Sequence, residues 1–448
     1  MNHRGTRVLR LDALARVEGE AALHLRVQEG MVTETRLRIY EPPRFFEAFL
    51  TGRGHTEPPD ITARICGICP VAYQMSACQA IENACGVTVD GPLAELRRLL
   101  YCGEWIESHA LHIYLLHAPD FLGHADIVEL ARHERAPVER GLRIKQTGNA
   151  ILEQLGGRPI HPVNVKVGGF YGTPTRHELG PLAERLRRTR EDALETVRWV
   201  AAFDRPDAVC DHDLFALRDP GRYAIDSGTP TVLAAHGQGP VLRDFPLPDF
   251  EQHVEEGQVP HSTALTAALD GRRYLTGPLA RYAINGRWLY PVAAQAARDA
   301  GLGDPHTGAT CANPFQSIVV RAVEVVQAIE EALRIIDGYE RPPRPAVEVP
   351  PRRGHGTGAT EAPRGLLYHR YALTGDGTLT EARIIPPTAQ NQTAIEEDVR
   401  RAVQSRLDAP GPAADDDELT HLCERAVRNH DPCISCAAHF LDVTVERP

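Results

Sequence analysis

Two periodicities run along this chain, and each predicts its own kind of element. Residues 7–40 are β-rich. Within them "VTETRLRIY" sets Thr33, Thr35, Leu37 and Ile39 against polar neighbours, the two-residue repeat of a half-buried strand. From residue 92 the repeat lengthens: Leu93, Leu96, Leu99 and Leu100 fall at helical spacing behind a proline placed to start a helix. Further helices are predicted over 137–155 and 178–203. The most regular spans 315–337, with Val319, Val323, Val326, Ile329 and Leu333 on one stripe, and Gly338 and the Pro342–Pro343 pair end it. Residues 341–363, rich in Pro and Gly, read as an extended loop. "GLLYHRYAL", a "TGDG" turn and "LTEARIIP" then predict a β-hairpin. Helices follow over 392–406 and 416–428. In the closing "FLDVTVERP", Leu441, Val443 and Val445 alternate with Asp442, Thr444 and Glu446 as in a short strand.

These elements predict a mainly α fold with small β additions (α+β), organised as one domain over 1–448. Its parts are a β-rich segment over about 1–45, a helical body over about 60–340, and a C-terminal hairpin with a ligand-bearing segment over about 355–448. No internal repeat at a solenoid period is present.

Composition narrows the function classes. The 448 residues are 42% hydrophobic and 24% charged, as in globular proteins generally, and the net charge of −11 argues against nucleic acid as a partner. No apolar run reaches the length of a membrane span, and the charged N-terminus lacks the apolar core of a secretory signal, so a cytoplasmic location is expected. The ten cysteines are then expected to be reduced.

Four of those cysteines form two Cys-x-x-Cys pairs, Cys66/Cys69 in "RICGICP" and Cys433/Cys436 in "DPCISCAAH". Thiolates are soft ligands that select thiophilic metals. Gly67 offers a permissive turn between the first two, and Pro70 and Pro432 stiffen the flanks. A zinc ribbon brings its second pair within about 15–20 residues; here 367 positions separate Cys66 from Cys433. The spacing favours a site buried where the two ends of the chain meet, and leaves its metal open. Cys78, Cys85, Cys102, Cys210, Cys311 and Cys423 read as small buried hydrophobes.

Taken together, the two motifs resemble the paired signatures of the large subunit of [NiFe] hydrogenases. "ARVEGE", "EPPRFFEAF", "GEWIESHALHIYLLHAPDFLG", "GGRPIHPVNVKVGGF", "YLTGPLARYAIN", "TEAPRGLLYH" and "PPTAQN" extend the likeness along the full chain. "CPVAYQMSA" and "EPPRFFE" look most like the cytoplasmic NAD(P)-linked branch, which includes the sulfhydrogenases. The resemblance implies the helical-bundle body of that large subunit and a nickel–iron centre whose iron carries CO and cyanide. It implies Cys66 and Cys433 as terminal nickel ligands, and Cys69 and Cys436 as thiolates bridging nickel and iron. Glu18 matches a proton-relay carboxylate, and Arg364 matches an arginine held over the metals. Thr388 matches a hydroxyl that hydrogen-bonds a cyanide. Glu47, the carbonyl of Ile384 and His439 match ligands of a nearby magnesium or iron. Asp431 is expected to orient the thiolates. His109, His112, His117 and His161 read as buried, hydrogen-bonded histidines.

The chain departs from the pattern twice. Tyr73 stands where many relatives carry a histidine, and only nine residues follow His439, where many precursors carry a longer, cleaved extension. The alternation in those nine favours a retained strand. The resemblance implies H2 as substrate, an iron–sulfur small subunit, and flavin- and NAD(P)-binding diaphorase subunits. In keeping with that, this chain has no further cysteine cluster and no dinucleotide fingerprint. Two other readings stay open at this level: a non-catalytic scaffold related to the quinone-site subunit of complex I, and a structural zinc protein.

Overall fold

Alternation and its interruption build the first sheet. The computed structural model describes residues 6–209, 212–233, 241–307, 311 and 313–438. Strands Thr6–Leu11, Ala21–Gln28 and Met31–Ile39 pair antiparallel in sequence order. Ala21, Leu23, Leu25 and Val27 point to one buried face. Against them the register slips: Arg26 faces Glu34 while Val27 faces Val32. Thr33 is the extra residue of this bulge, so Val32, Leu37 and Ile39 are buried and Thr33 is exposed. The expected grouping of Thr33 with Leu37 therefore fails at the bulge, while Thr35 stays on the Leu37 face. The buried face packs on Ile395, Val399 and Val403 of helix Pro387–Asp408 and on Leu419, Cys423 and Val427 of helix Asp416–Arg428.

The predicted helices are present as Gly91–Leu111, Arg135–Gly156, Arg176–Ala201 and Ser317–Asp337. The last buries its whole valine–isoleucine stripe. Gly91–Leu111 and Arg135–Gly156 cross at glycines: a Cβ on Gly148 would lie 2.6 Å from the backbone of both Glu107 and Gly103. Paired charges cross the core. Arg281 donates to Glu324 at 2.8 Å and to Glu361 at 3.2 Å, and lies 4.5 Å from the Trp105 ring centroid. His109 sits 2.9 Å from the same Glu324 carboxylate.

Residues 341–363 correct the reading of a loop. Gly354–Ala362 is a full strand, pairing antiparallel with Gly365–Leu373, which in turn pairs with Leu379–Ile385. Gly354, Gly356 and Gly358 alternate along it and face helix Pro70–Cys85. A Cβ on Gly356 would fall 2.0 Å from the Ala80 carbonyl oxygen, and one on Gly358 would fall 2.3 Å from that of Ser76. These glycines let helix backbone lie directly on the sheet. The helix Pro70–Cys85 and the sheet of Asp213–Arg218, Thr229–Leu233, Val241–Asp244 and Tyr274–Leu275 were not anticipated. The helix is buried almost all round, so it carries no amphipathic stripe. The closing strand predicted over 440–446 lies outside the described residues, as does Cys210. Cys78, Cys85, Cys102, Cys311 and Cys423 are buried and unbridged.

Candidate metal centre

The two cysteine pairs meet. Sγ of Cys66 lies 3.5 Å from that of Cys433, and Sγ of Cys69 lies 3.9 Å from that of Cys436. All four sulfurs fall within 4.8 Å of one another, and all four residues are buried. Each pair is aimed by its own scaffold. Cys66 Sγ accepts the amide N–H groups of Ile68 and Cys69, at 3.3 and 3.4 Å, which closes the first turn. Gly67 does not use the conformational freedom expected of it: its φ is not positive, and a Cβ there would meet nothing within 4 Å. Cys69 caps helix Pro70–Cys85. The orphan N–H groups of Val71 and Ala72 donate to the buried Glu104 carboxylate of the Gly91–Leu111 helix at 2.6 and 3.1 Å.

The second pair leaves helix Asp416–Arg428 through a pinned turn. Arg321 and Ser317 both donate to the Asn429 carbonyl, at 2.9 and 2.7 Å. Asp398 bridges His430 and His212 at 3.1 and 2.8 Å. Asp431 takes a left-handed φ of 50°, an unfavourable conformation for a non-glycine residue, before Pro432 and Cys433. The N-terminal segment closes over this turn. Ile434 N–H donates to the Glu18 carbonyl at 2.9 Å. A Cβ on Gly19 would meet Ile434 Cβ at 2.7 Å, and Gly19 itself has φ 87°, so glycine is needed there.

Around the sulfurs the chemistry is specific. Glu18 Oε2 accepts from Cys433 Sγ and from Ser435 N–H, each at 3.0 Å. Thr388 Oγ1 accepts the Cys433 amide at 2.9 Å, which leaves its own O–H free to donate. Arg364 donates through Nε to the Asp431 carbonyl at 2.7 Å and through Nη2 to its carboxylate at 3.2 Å. Its Nη1 is buried with no hydrogen-bond partner among the described residues. Burial weakens the charge of Arg364, but Asp431 and the thiolates of Cys433, Cys69 and Cys66 more than offset it. Hydrogen bonds from Cys433, Cys436 and Cys69 hold the Cys66 thiol well below its ordinary range, while burial pushes Cys433 up.

Two stretches, residues 44–140 and 308–439, match the nickel-dependent hydrogenase family. Sulfhydrogenase 1 subunit alpha of Pyrococcus furiosus is 32% identical over 96% of this chain and 97% of its own length. This chain belongs to the nickel-dependent hydrogenase family. Sulfhydrogenase 2 subunit alpha of the same organism is also 32% identical, over 97% of this chain and 99% of that one. The crystal structure of an NAD+-reducing [NiFe]-hydrogenase superposes with a TM-score of 0.84 at 28% identity, covering 97% of this chain and 99% of that one. The [NiFeSe] hydrogenase of Desulfomicrobium baculatum, 22% identical, shares the fold with a TM-score of 0.79 over 97% of this chain and 100% of its own. The donor set fits the nickel–iron site of a hydrogenase. Four buried soft sulfurs converge beside one guanidinium whose Nη1 meets no acceptor among the described residues. Cys66, Cys69, Cys433 and Cys436 hold that site.

The remaining predicted residues fall into three groups. Glu47 and Ile384 are together: Glu47 Oε1 accepts the Ile384 amide N–H at 2.7 Å, a contact through the nitrogen and not the carbonyl. His439 lies outside the described residues. Asp431, expected to orient the thiolates, instead holds Arg364. The expectation of buried, hydrogen-bonded histidines holds in part. His112 contacts the Arg428 carbonyl at 2.8 Å, and His161, only half-buried, contacts that of Ala63 at 2.7 Å. Neither ring nitrogen of the buried His117 has a hydrogen-bond partner among the described residues, and its ring lies 5.1 Å from that of His112. Tyr73 is buried against Cys436 and Cys69, and burial raises its phenol well above the usual value.

Sequence reasoning missed three groups that hold the hydrogenase site together. Arg44 Nη2 donates to the carbonyls of Ile65 and Ser435, one beside each cysteine pair. Glu41 accepts Ser435 Oγ at 2.6 Å and the Glu20 amide at 3.2 Å. Glu104 caps the helix behind Cys69. Only the motif segments "EPPRFFEAF" and "GEWIESHALHIY" flagged these positions, without a role.

Proposed function

We propose that this chain is the H2-splitting subunit of an NAD(P)-linked hydrogenase assembly in the cytoplasm. The observation that carries the proposal is the convergence of four sulfurs from opposite ends of the chain. H2 is a very weak acid, so its cleavage needs an electrophile and a base in contact. The nickel–iron centre, with CO and cyanide on its iron, supplies the electrophile when bound. The protein supplies the rest. Cys66 and Cys433 are assigned as terminal nickel ligands, and Cys69 and Cys436 as bridges to iron. Cys433 Sγ is the first proton acceptor, and Glu18, 3.0 Å away, takes the proton onward. Arg364 offers its Nη1, unpartnered among the described residues, to cyanide or to polarised H2, and Thr388 offers its O–H to cyanide. Glu47, the Ile384 carbonyl and His439 are assigned to a magnesium or iron nearby; an oxygen-rich set suits magnesium.

Each turnover releases two protons and two electrons, and the electrons need a partner. Segment 158–171 carries the exposed apolar residues Ile160, Val163 and Tyr171, and its His161 holds the Ala63 carbonyl three residues before Cys66. We assign this surface to an iron–sulfur small subunit, with flavin and NAD(P) on further subunits. The names of relatives support the assembly: several are called alpha or beta subunits, and one, from Cupriavidus necator, is called an NAD-reducing hydrogenase subunit. No helix among the described residues is long and apolar enough to cross a membrane. The test is to express the chain with a competent maturation system and purify what associates with it. About one nickel per chain, iron in excess of nickel because the iron–sulfur partner adds its own, infrared bands of CO and cyanide, and H2-dependent reduction of NAD(P) are expected. Zinc alone in the cysteine site would overturn the reading.

A further inference from the structure

A second cluster of ligating side chains lies outside the hydrogenase centre, and nothing in the H2 chemistry uses it. The short helix Ala118–Leu122 ends at Gly123, and His124 follows with its amide donating to the Pro119 carbonyl at 3.0 Å. The next helix, Ile127–His133, is capped by Asp126, whose carboxylate accepts the Glu129 amide at 2.8 Å. Glu129 reaches back and accepts the Ala125 amide at 2.6 Å. Glu129 and His133 stand four residues apart, on one face of the helix. One nitrogen of His124, one carboxylate oxygen of Glu129 and one nitrogen of His133 all lie within 4.8 Å of one another. The two imidazoles stack with centroids 5.1 Å apart and planes 15° from parallel. Neither ring holds a protein hydrogen bond among the described residues, although each side chain is fixed to a backbone that is itself hydrogen-bonded.

The geometry points to a divalent-cation site made by His124, Glu129 and His133. We infer that it takes an ion of the borderline class, Zn2+, Co2+ or Ni2+, with water completing the shell. Two imidazoles and one carboxylate match the three-ligand set of open zinc sites, and imidazole nitrogen disfavours Mg2+ and Ca2+. Metal–nitrogen bonds of about 2.0–2.1 Å require the rings to turn out of their stack so that both lone pairs point at the ion. The ion would clip the Gly123–Asp126 turn onto the Ile127–His133 helix. It would also give a hydrogenase grown in nickel-rich medium more nickel than its centre accounts for.

The test uses the matured enzyme, with the cysteine centre already filled, after dialysis against a mild chelator. Titration with Zn2+ in a calorimeter should show one site per chain. Binding should weaken about tenfold or more in each of His124→Ala and His133→Ala, and less in Glu129→Gln, while the exposed His421→Ala binds like the parent. H2 oxidation should be equal in all of them. Added Co2+ should give visible ligand-field bands without sulfur-to-cobalt charge transfer. No zinc uptake by the matured enzyme, equal uptake by either histidine variant, or a sulfur charge-transfer band would each overturn the site.

Discussion

At the scale of single residues, the position of Glu18 makes a sharp demand. Its carboxylate touches a cysteine sulfur and a backbone amide at equal distance. Glu18→Gln keeps the size and can still accept from Ser435, but it cannot carry a proton away. H2 oxidation is expected to fall about 100-fold or more, with nickel and iron content unchanged. A loss of metal together with activity would make Glu18 a folding residue and sink the relay. Arg44 gives the opposite expectation. Arg44→Ala removes the bridge between the carbonyls beside the two pairs, so nickel content should fall with activity, as metal analysis of the purified variant would show. The difference between these residues marks what the sequence could reveal. The cysteines and Glu18 sit in motifs whose spacing or neighbours carry meaning. Arg44 reaches the Ser435 carbonyl and Glu41 the Ser435 hydroxyl, 391 and 394 residues away, and no local pattern records such contacts.

At the scale of elements, the glycine strand sets the height of the helix that presents Cys69. Gly356→Ala would place a Cβ 2.0 Å from a helix carbonyl. Overpacking of this kind costs about 1–3 kcal/mol, so the thermal midpoint should drop, whereas Gly375→Ala, in open space at the hairpin turn, should leave it within error. The helices were legible because large apolar residues recur along them at helical spacing, as Val319, Val323, Val326, Ile329 and Leu333 do. Pro70–Cys85 was not, since its buried residues include small and polar ones all round, Ser76, Ala77, Gln74 and Glu82 among them, and make no stripe. The Gly354–Ala362 strand was misread because its period-2 signal is written in glycines, which also punctuate loops. The core of Gly91–Leu111 and Ser317–Asp337 makes a second prediction, in pH. Burial depresses His109 to about 4, and the Arg281 guanidinium overcomes burial to hold Glu324 at about 2. A base with a depressed folded pKa binds its proton more readily when unfolded. Stability should therefore fall as pH drops from about 6.5 toward 4. The Glu324 contribution is present above its unfolded value, near 4.5, and is lost as pH falls toward 2. Thermal midpoints measured from pH 7 to pH 4 should decline less steeply in His109→Gln than in the parent.

At the scale of the whole molecule, the metal site is where the chain closes on itself. The N-terminal sheet, the helical body and the C-terminal turn each carry part of it, and Glu18, Cys66 and Cys433 meet only there. The broad α+β class was readable from periodicity, and the meeting of the two chain ends from the paired cysteines; the contacts that hold the closure were not, because they depend on long-range packing that composition cannot express. Closure also links metal to stability. A ligand that binds only the closed form stabilises it in proportion to its affinity. The metal-free chain should therefore loosen at the seam and not in the core. Three contacts define that seam: Ile434 N–H to the Glu18 carbonyl, Cys433 N–H to Thr388, and Arg44 to the Ile65 and Ser435 carbonyls. Hydrogen exchange on protein from a nickel-starved host should be faster at residues 16–20, 66–69 and 431–438 than in the matured form. Helix Ser317–Asp337, packed on both sides by apolar side chains, should exchange equally in the two. Uniform protection across the seam in both forms would mean that the fold closes without its metal, and that the cysteines converge by packing alone.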